Sequence, residues 1–195
     1  MYGIVTRNEA ELSWETFDRG FYQIKDVTGR GAEPTADGVN MISCFGDNAT
    51  AEANPDLVAV SEDGERATRE QPYFDWDYVC PTREGYREAL LETVEEAVEV
   101  APDVRLDDVG FPRNEYCHCE VCNERFEDSE FDDRMTWRAD EITSFVAEAA
   151  DRVPGRTYFT LYPDPYPEHL YRRNGLDLEA IAEHVDEFVV TLYDT

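Results

Sequence analysis

Four cysteines limit the folds open to this chain more than any other feature. Cys117, Cys119 and Cys122 fall in the run Cys117-His118-Cys119-Glu120-Val121-Cys122, and Cys80 precedes the first of them by 37 positions. Three sulfurs on one tight turn, with a fourth from a distant segment, match the donor set of a closed tetrahedral Zn²⁺ site. Any fold that holds such a metal must bring residue 80 beside the 117–122 turn. A Cys₄ site keeps no open coordination position, so the expected zinc is structural and holds a loop. His118 is a substitute for one sulfur, although a solvated imidazole is the simpler expectation. Two other readings use the same residues: separate buried thiols, since free cysteine packs as a small hydrophobe, or a disulfide pair. Cys44 stands apart as an odd buried thiol.

Around these cysteines, apolar runs and breakers predict alternating strands and helices. Strands are expected at Gly3 to Thr6, Gly38 to Phe45, Val104 to Val109, Thr157 to Tyr162 and Phe188 to Tyr193. Helices are expected from Pro81 to Pro102, from about Asp132 to Val153, and from Leu178 to Val185. The first two are stopped by Pro102 and by Pro154-Gly155. The stretch from Trp14 to Ile24 reads as helical. Leu57 to Val60 with the Glu62-Asp63-Gly64-Glu65 turn reads as a small hairpin or loop excursion, and Phe74 to Val79 as a strand or extended arm leading to Cys80. Strands separated by helices of this length predict βα units and a parallel sheet. The fold class is therefore α/β, a parallel (β/α) barrel of glycosidase type with about six core strands; an open doubly wound sheet fits the same alternation. No Gly-rich phosphate loop follows a strand, which disfavours a nucleotide binder. A full barrel usually takes about 250 residues. The expectation is thus one domain over 1–195 that is either a barrel truncated at its C-terminus or a sheet whose edge is covered by a partner chain or a second copy. The knuckle 117–122 would be inserted after the fourth strand.

The chain has 195 residues, 42% of them hydrophobic, which suits one sizeable core. Its net charge is -28, with 45 Asp and Glu against 17 Lys and Arg, and Lys25 is the only lysine. A disordered acidic chain would lack the apolar runs and the 12% aromatics. A folded surface adapted to concentrated salt explains both, and implies a halophilic source of haloarchaeal type, because salt screens the self-repulsion. The charge argues against nucleic acid and anionic membranes, since no Lys/Arg cluster is present to neutralise phosphates. No apolar run approaches the roughly 18 residues of a spanning helix, and the N-terminus has no signal pattern. A reducing, cytoplasmic location is the expectation, and it suits metal-bound thiolates.

Two segments carry a family resemblance. Pro55-Asp-Leu-Val-Ala-Val-Ser-Glu-Asp-Gly, Tyr78-Val-Cys-Pro and Tyr86-Arg-Glu-Ala-Leu lead into Val104-Arg-Leu-Asp-Asp-Val-Gly-Phe-Pro112. This is similar to glycoside hydrolase families whose fourth strand reads approximately D-G-I-H-F-D-D-Y-x-Y-P, with Pro81 to Arg87 loosely matching the segment before the helix. Cys117 to Phe126 resembles the cysteine knuckle after the fourth strand of family 42 β-galactosidases, where an earlier cysteine completes a structural zinc site. Together they cover residues 38 to 126. The resemblance implies a (β/α)₈-type fold and carbohydrate chemistry. Asp107-Asp108 stands where the galactosidases have Asn-Glu, so it points to the broader group of barrel glycosidases.

Glycoside hydrolysis takes two carboxyl groups, one donating a proton and one acting as base or nucleophile. The candidate catalytic residues are Asp107, Asp108 and Asp164. Strand alternation would turn Asp107 and Asp108 to opposite sides. By analogy with the galactosidases, Asp108 is the general acid, its pKa raised by neighbouring carboxylates, with a nucleophile from a seventh strand. By analogy with α-retaining barrels, Asp107 is the nucleophile and Asp164 the acid. Asp47 and Asp194 also follow strand ends, and in so acidic a chain any such Asp is commonly a turn former or a solvated charge. Tyr73, Phe74, Trp76, Tyr78, Phe111, Tyr162, Tyr166 and Tyr193 lie near expected loop ends where sugar rings could stack, though burial is the usual fate of aromatics. Arg113 is expected in a surface ion pair. The different-class alternative is a non-catalytic, zinc-stabilised barrel scaffold or carbohydrate-binding protein. A redox or zinc-transfer role is disfavoured, because reactive thiols prefer electropositive surroundings.

Overall fold

Val39–Ser43 is buried at all five positions, the mark of a strand covered on both faces. It is the fourth strand in chain order. A computed structural model describes residues 1–164 and 166–192. Within them, β1 (Gly3–Thr6), β2 (Arg19–Asp26), β4 (Val39–Ser43), β5 (Val104–Asp107), β6 (Thr157–Leu161) and β7 (Glu187–Val190) pair in that order, all parallel. The two-residue β3 (Gly29–Arg30) folds back on β2 as an antiparallel hairpin. The six parallel strands curl into a half-barrel, so the incomplete parallel α/β barrel expected from the sequence is the one found.

Helices cover the convex side. α2 (Glu84–Val100) connects β4 to β5, and α4 (Arg134–Ala150) connects β5 to β6. Leu90, Leu91, Val94 and Ala97 of α2 pack with Ile142, Phe145, Val146 and Ala149 of α4 onto Ile24, Ile42, Val104, Leu106 and Phe159 of the sheet. Apolar residues recur every three or four positions in both helices, giving the stripe that such packing needs. The concave face carries a separate small cluster of Phe21, Val39, Met41 and Tyr158. β4 pairs with β5 in the register Ser43↔Asp107, and β5 with β6 through Leu106↔Phe159.

Trp14 to Ile24 is not helical. A 3₁₀ turn at Glu9–Ser13 is followed by β2, whose Phe21 faces the concave cluster while Tyr22 and Ile24 face the helices. Both faces are covered, so the clean two-residue alternation disappears and the spacing of Phe21 and Ile24 imitates a helix. Gly20 fits this arrangement, since a Cβ there would lie 2.6 Å from Leu12 Cδ2. The expected helix from Leu178 to Val185 is shorter, α6 (Leu178–Ile181), capped by the Asp177 side chain. Three short helices were not anticipated: α1 (Asn48–Ala53), α3 (Glu120–Glu127) and α5 (His169–Asn174). The segment between η2 (Pro55–Leu57) and Cys80 is a loop excursion tied down by antiparallel bridges Gly46↔Tyr78, Val58↔Val79, Val60↔Arg66 and Ser61↔Tyr116. Tyr193 and Asp194 lie outside the described residues. Among the described residues no helix is long and apolar enough to cross a membrane.

Candidate active site and metal centre

The strand ends gather the polar residues. Asp107 closes β5 opposite Ser43 and lines the concave face together with Gln23, Met41, Arg105 and Tyr158, around a cavity of about 650 Å³. Arg105 donates from Nε to Thr160 Oγ1 at 2.9 Å and lies 4.6 Å from the Phe21 ring centre. Asp108 is no longer a strand residue. Its φ of 49° puts it in the left-handed region, so alternation stops one residue short of it. Asp108 Oδ2 lies 2.6 Å from Ser43 Oγ, and Oδ1 accepts a hydrogen bond from the Tyr162 hydroxyl at 3.0 Å. Burial, with the adjacent Asp107 charge adding to it, pushes the Asp108 pKa up to about 7, against the opposing pull of Tyr162 and Lys25. The upward shift expected from neighbouring carboxylates thus has burial as its larger cause.

Beside this pair sits Lys25. Its Nζ donates to the Ser43 carbonyl at 2.8 Å and pairs with Asp47 Oδ2 at 3.0 Å. Asp47 caps α1 by accepting from the Thr50 amide at 2.8 Å, and it also accepts from the Tyr86 hydroxyl at 2.9 Å. Burial would raise this carboxyl, but Lys25, the Thr50 amide and Tyr86 outweigh it and hold Asp47 below the usual range. Asp47 is therefore an anchor. Sequence reasoning missed Ser43 and Lys25 as neighbours of the acidic pair; Ser43 ends β4, Lys25 lies near the end of β2, and the lone lysine was the available signal.

Asp164 lies elsewhere. Its Oδ1 accepts from the Tyr166 amide at 3.0 Å and its Oδ2 pairs with His169 Nδ1. It lines a different cavity of about 660 Å³, bounded by Asp133, His169, Leu170, Leu176 and Leu178. Asp107 and Asp108 are consecutive at the end of β5, whereas Asp164 pairs with His169 and lines the other cavity. Of the aromatics, Phe74 and Phe111 are core residues, Tyr73 and Tyr166 are exposed, and Tyr162 touches Asp108. Arg113 pairs with Glu115 at 3.3 Å and lies 4.7 Å from the Tyr73 ring centre.

The four cysteines converge. The sulfurs of Cys80, Cys117, Cys119 and Cys122 are buried and lie within 4.8 Å of one another, with no disulfide among them. Cys80 Sγ is 3.8 Å from Cys119 Sγ and 3.3 Å from Cys122 Sγ. Four sulfurs about 2.3 Å from a tetrahedral metal would stand about 3.8 Å apart, so the cluster has the size of a metal site. Its surroundings suit anionic sulfur. The amides of Val60 and Cys119 donate to Cys117 Sγ at 3.2 and 3.4 Å, and Thr82 Oγ1 lies 3.2 Å from Cys122 Sγ. The charges of Arg125 and Arg138 interact with Cys122. Arg134 fastens the turn by donating to the Cys117 carbonyl and to Asn123 Oδ1, each at 2.8 Å. The His118 backbone amide bonds to the Val60 carbonyl, and its ring is not part of the sulfur cluster.

Several solved structures share the fold. The chain aligns with alpha-L-fucosidase isoenzyme 2 from Paenibacillus thiaminolyticus at a TM-score of 0.62 and 16% identity, over 77% of this chain and 28% of that one. It aligns with the PgaB (BpsB) glycoside hydrolase domain from Bordetella bronchiseptica at 0.62 and 12% identity, over 78% and 50%. A hypothetical protein from Ruminiclostridium thermocellum aligns at 0.56 and 16% identity, over 80% and 94%. The chain thus spans half or less of the two glycosidase structures. No curated protein sequence matches it. A family described as Domain of unknown function (DUF4838) matches residues 7–160, and the chain belongs to that family.

Proposed function

We propose that this half-barrel acts on a glycosidic bond, with Asp108 as proton donor and Asp107 as the second carboxyl group at the same strand end. The observation that carries the reading is Asp108 itself, a carboxyl whose pKa of about 7 keeps much of it protonated at neutral pH, beside a second carboxyl group. Its place at the C-terminal end of a parallel strand is where barrel enzymes carry their chemistry, and the fold is shared with glycosidase structures. Arg105, Tyr158 and Met41 offer a mixed polar and apolar wall to a sugar. Asp164 is left out of the mechanism, because its His169 pairing and separate cavity give it no part in this pair. That separation also favours the second reading, a carbohydrate-binding scaffold without turnover.

The cysteine cluster fits a structural Zn²⁺ held by Cys80, Cys117, Cys119 and Cys122. Such a metal would fix the loop after β5 and supply no open position for substrate. The reduced thiols accord with a reducing, cytoplasmic setting, and the net charge of -28 with a protein adapted to high salt.

A panel of nitrophenyl glycosides in molar KCl tests the reading. The expected result is turnover with at least one glycoside, reduced about 10² to 10⁴-fold in Asp107→Asn and Asp108→Asn. Sugar binding without turnover by the wild type would instead establish the scaffold.

A further inference from the structure

Ser43 Oγ lies 2.9 Å from the Gly46 carbonyl oxygen and 2.6 Å from Asp108 Oδ2. A serine hydroxyl has one hydrogen and can donate it only once. The Gly46 carbonyl can only accept. Gly46 is buried, and among the described residues Ser43 is its one donor. Buried carbonyls are paired with few exceptions, so the Ser43 hydrogen belongs to Gly46. The short contact to Asp108 must then be made by a proton carried on the carboxyl group.

We propose that Ser43 is a positioning residue that accepts a hydrogen bond from protonated Asp108, its own hydrogen being committed to the Gly46 carbonyl. Ser43 then favours the neutral acid, the opposite of a serine that donates to a carboxylate. Six further groups face Asp108, of which Asp107 favours its neutral form while Lys25 and Tyr162 favour the carboxylate. They are Asp107 from β5, Lys25 from β2, Cys44 at the end of β4, Tyr78 from the loop excursion, Tyr86 from α2 and Tyr162 after β6. Burial raises the pKa values of Cys44, Tyr78 and Tyr86, leaving Lys25 and Asp107 as the neighbouring charges. Tyr162 donates to Oδ1, so the proton rests on Oδ2. A half-turn about Cβ–Cγ, a soft torsion, exchanges the two oxygens and carries the proton toward the Tyr162 side. The catalytic consequence rests on the glycosidase reading, whereas the hydrogen-bond direction does not.

Carboxyl ¹³C NMR titration of Asp108 in the full chain, with zinc and molar KCl present, tests the direction without requiring turnover. In Ser43→Ala the midpoint should fall by roughly one pH unit, the size of one hydrogen bond. Ser43→Thr should keep the wild-type midpoint, and Tyr162→Phe, which removes a true donor, should raise it. A rise or no change in Ser43→Ala overturns the proposal. Should that variant fail to fold, infrared difference spectra between wild type and Asp108→Asn at pH 6 decide. A hydrogen-bonded carboxylic acid band supports the proposal, and its absence overturns it.

Discussion

Asp108 is a residue the fold tolerates at a cost. Folded, it releases its proton near pH 7; an unfolded aspartate does so near about 3.9. The unfolded chain therefore loses the proton first as pH rises. The stability this group contributes is greatest below about pH 4 and declines between about 4 and 7. Asp108→Asn keeps the side-chain shape, and asparagine accepts a left-handed backbone well. The variant should match the wild type in melting temperature at pH 4 and exceed it at pH 8. An equal difference at both pH values would contradict the assigned shift. Two residues on, Gly110 has a φ of 136° and packs so closely that a Cβ would lie 2.9 Å from the Asn174 carbonyl oxygen. Gly110→Ala should destabilise the chain by about 2 kcal/mol in urea titration. The sequence made Asp107 and Asp108 visible as a doubled acid ending an apolar strand. It could not reveal that Asp164 turns to His169, because no local pattern fixes a direction for its side chain.

At the scale of elements, the long helices were legible and β2 was not. α2 and α4 announce themselves by apolar stripes and by Pro102 and Pro154-Gly155 at their ends. β2 lies between two covered faces, where burial erases alternation. α3 was hidden for another reason. It is eight residues long and half charged, and it is capped by Cys119, where the sulfur cluster positions its first turn. That dependence gives a prediction. Cys122→Ser, or removal of metal with a chelator, should lower the melting temperature by roughly 6 to 12 °C, the shift that about 3 kcal/mol causes in a chain of this size. Metal analysis of the untreated protein should give about one zinc per chain. The same melting curve with and without chelator would remove the metal from the account.

Over the whole molecule, the parallel half-barrel follows from the alternation of elements, and the charge from composition alone. What neither discloses is how far acid groups crowd in space. A net charge of -28 on 195 residues makes self-repulsion a property of the entire surface, which added salt screens within about 3 Å at 1 M. Melting temperature should therefore rise with KCl through the molar range, and unchanged melting after dialysis into dilute buffer would refute the halophilic reading.

The central claim is that a carboxyl group at the end of β5 carries a proton at neutral pH and delivers it to a glycosidic oxygen. The pH dependence of kcat/KM for an aryl glycoside tests this most directly. The account predicts a rate that falls above a midpoint near 7 in the wild type, and loss of that limb together with most of the rate in Asp108→Asn. A rate that does not fall above pH 7, or an Asp108→Asn variant as active as the wild type with the same profile, would contradict it.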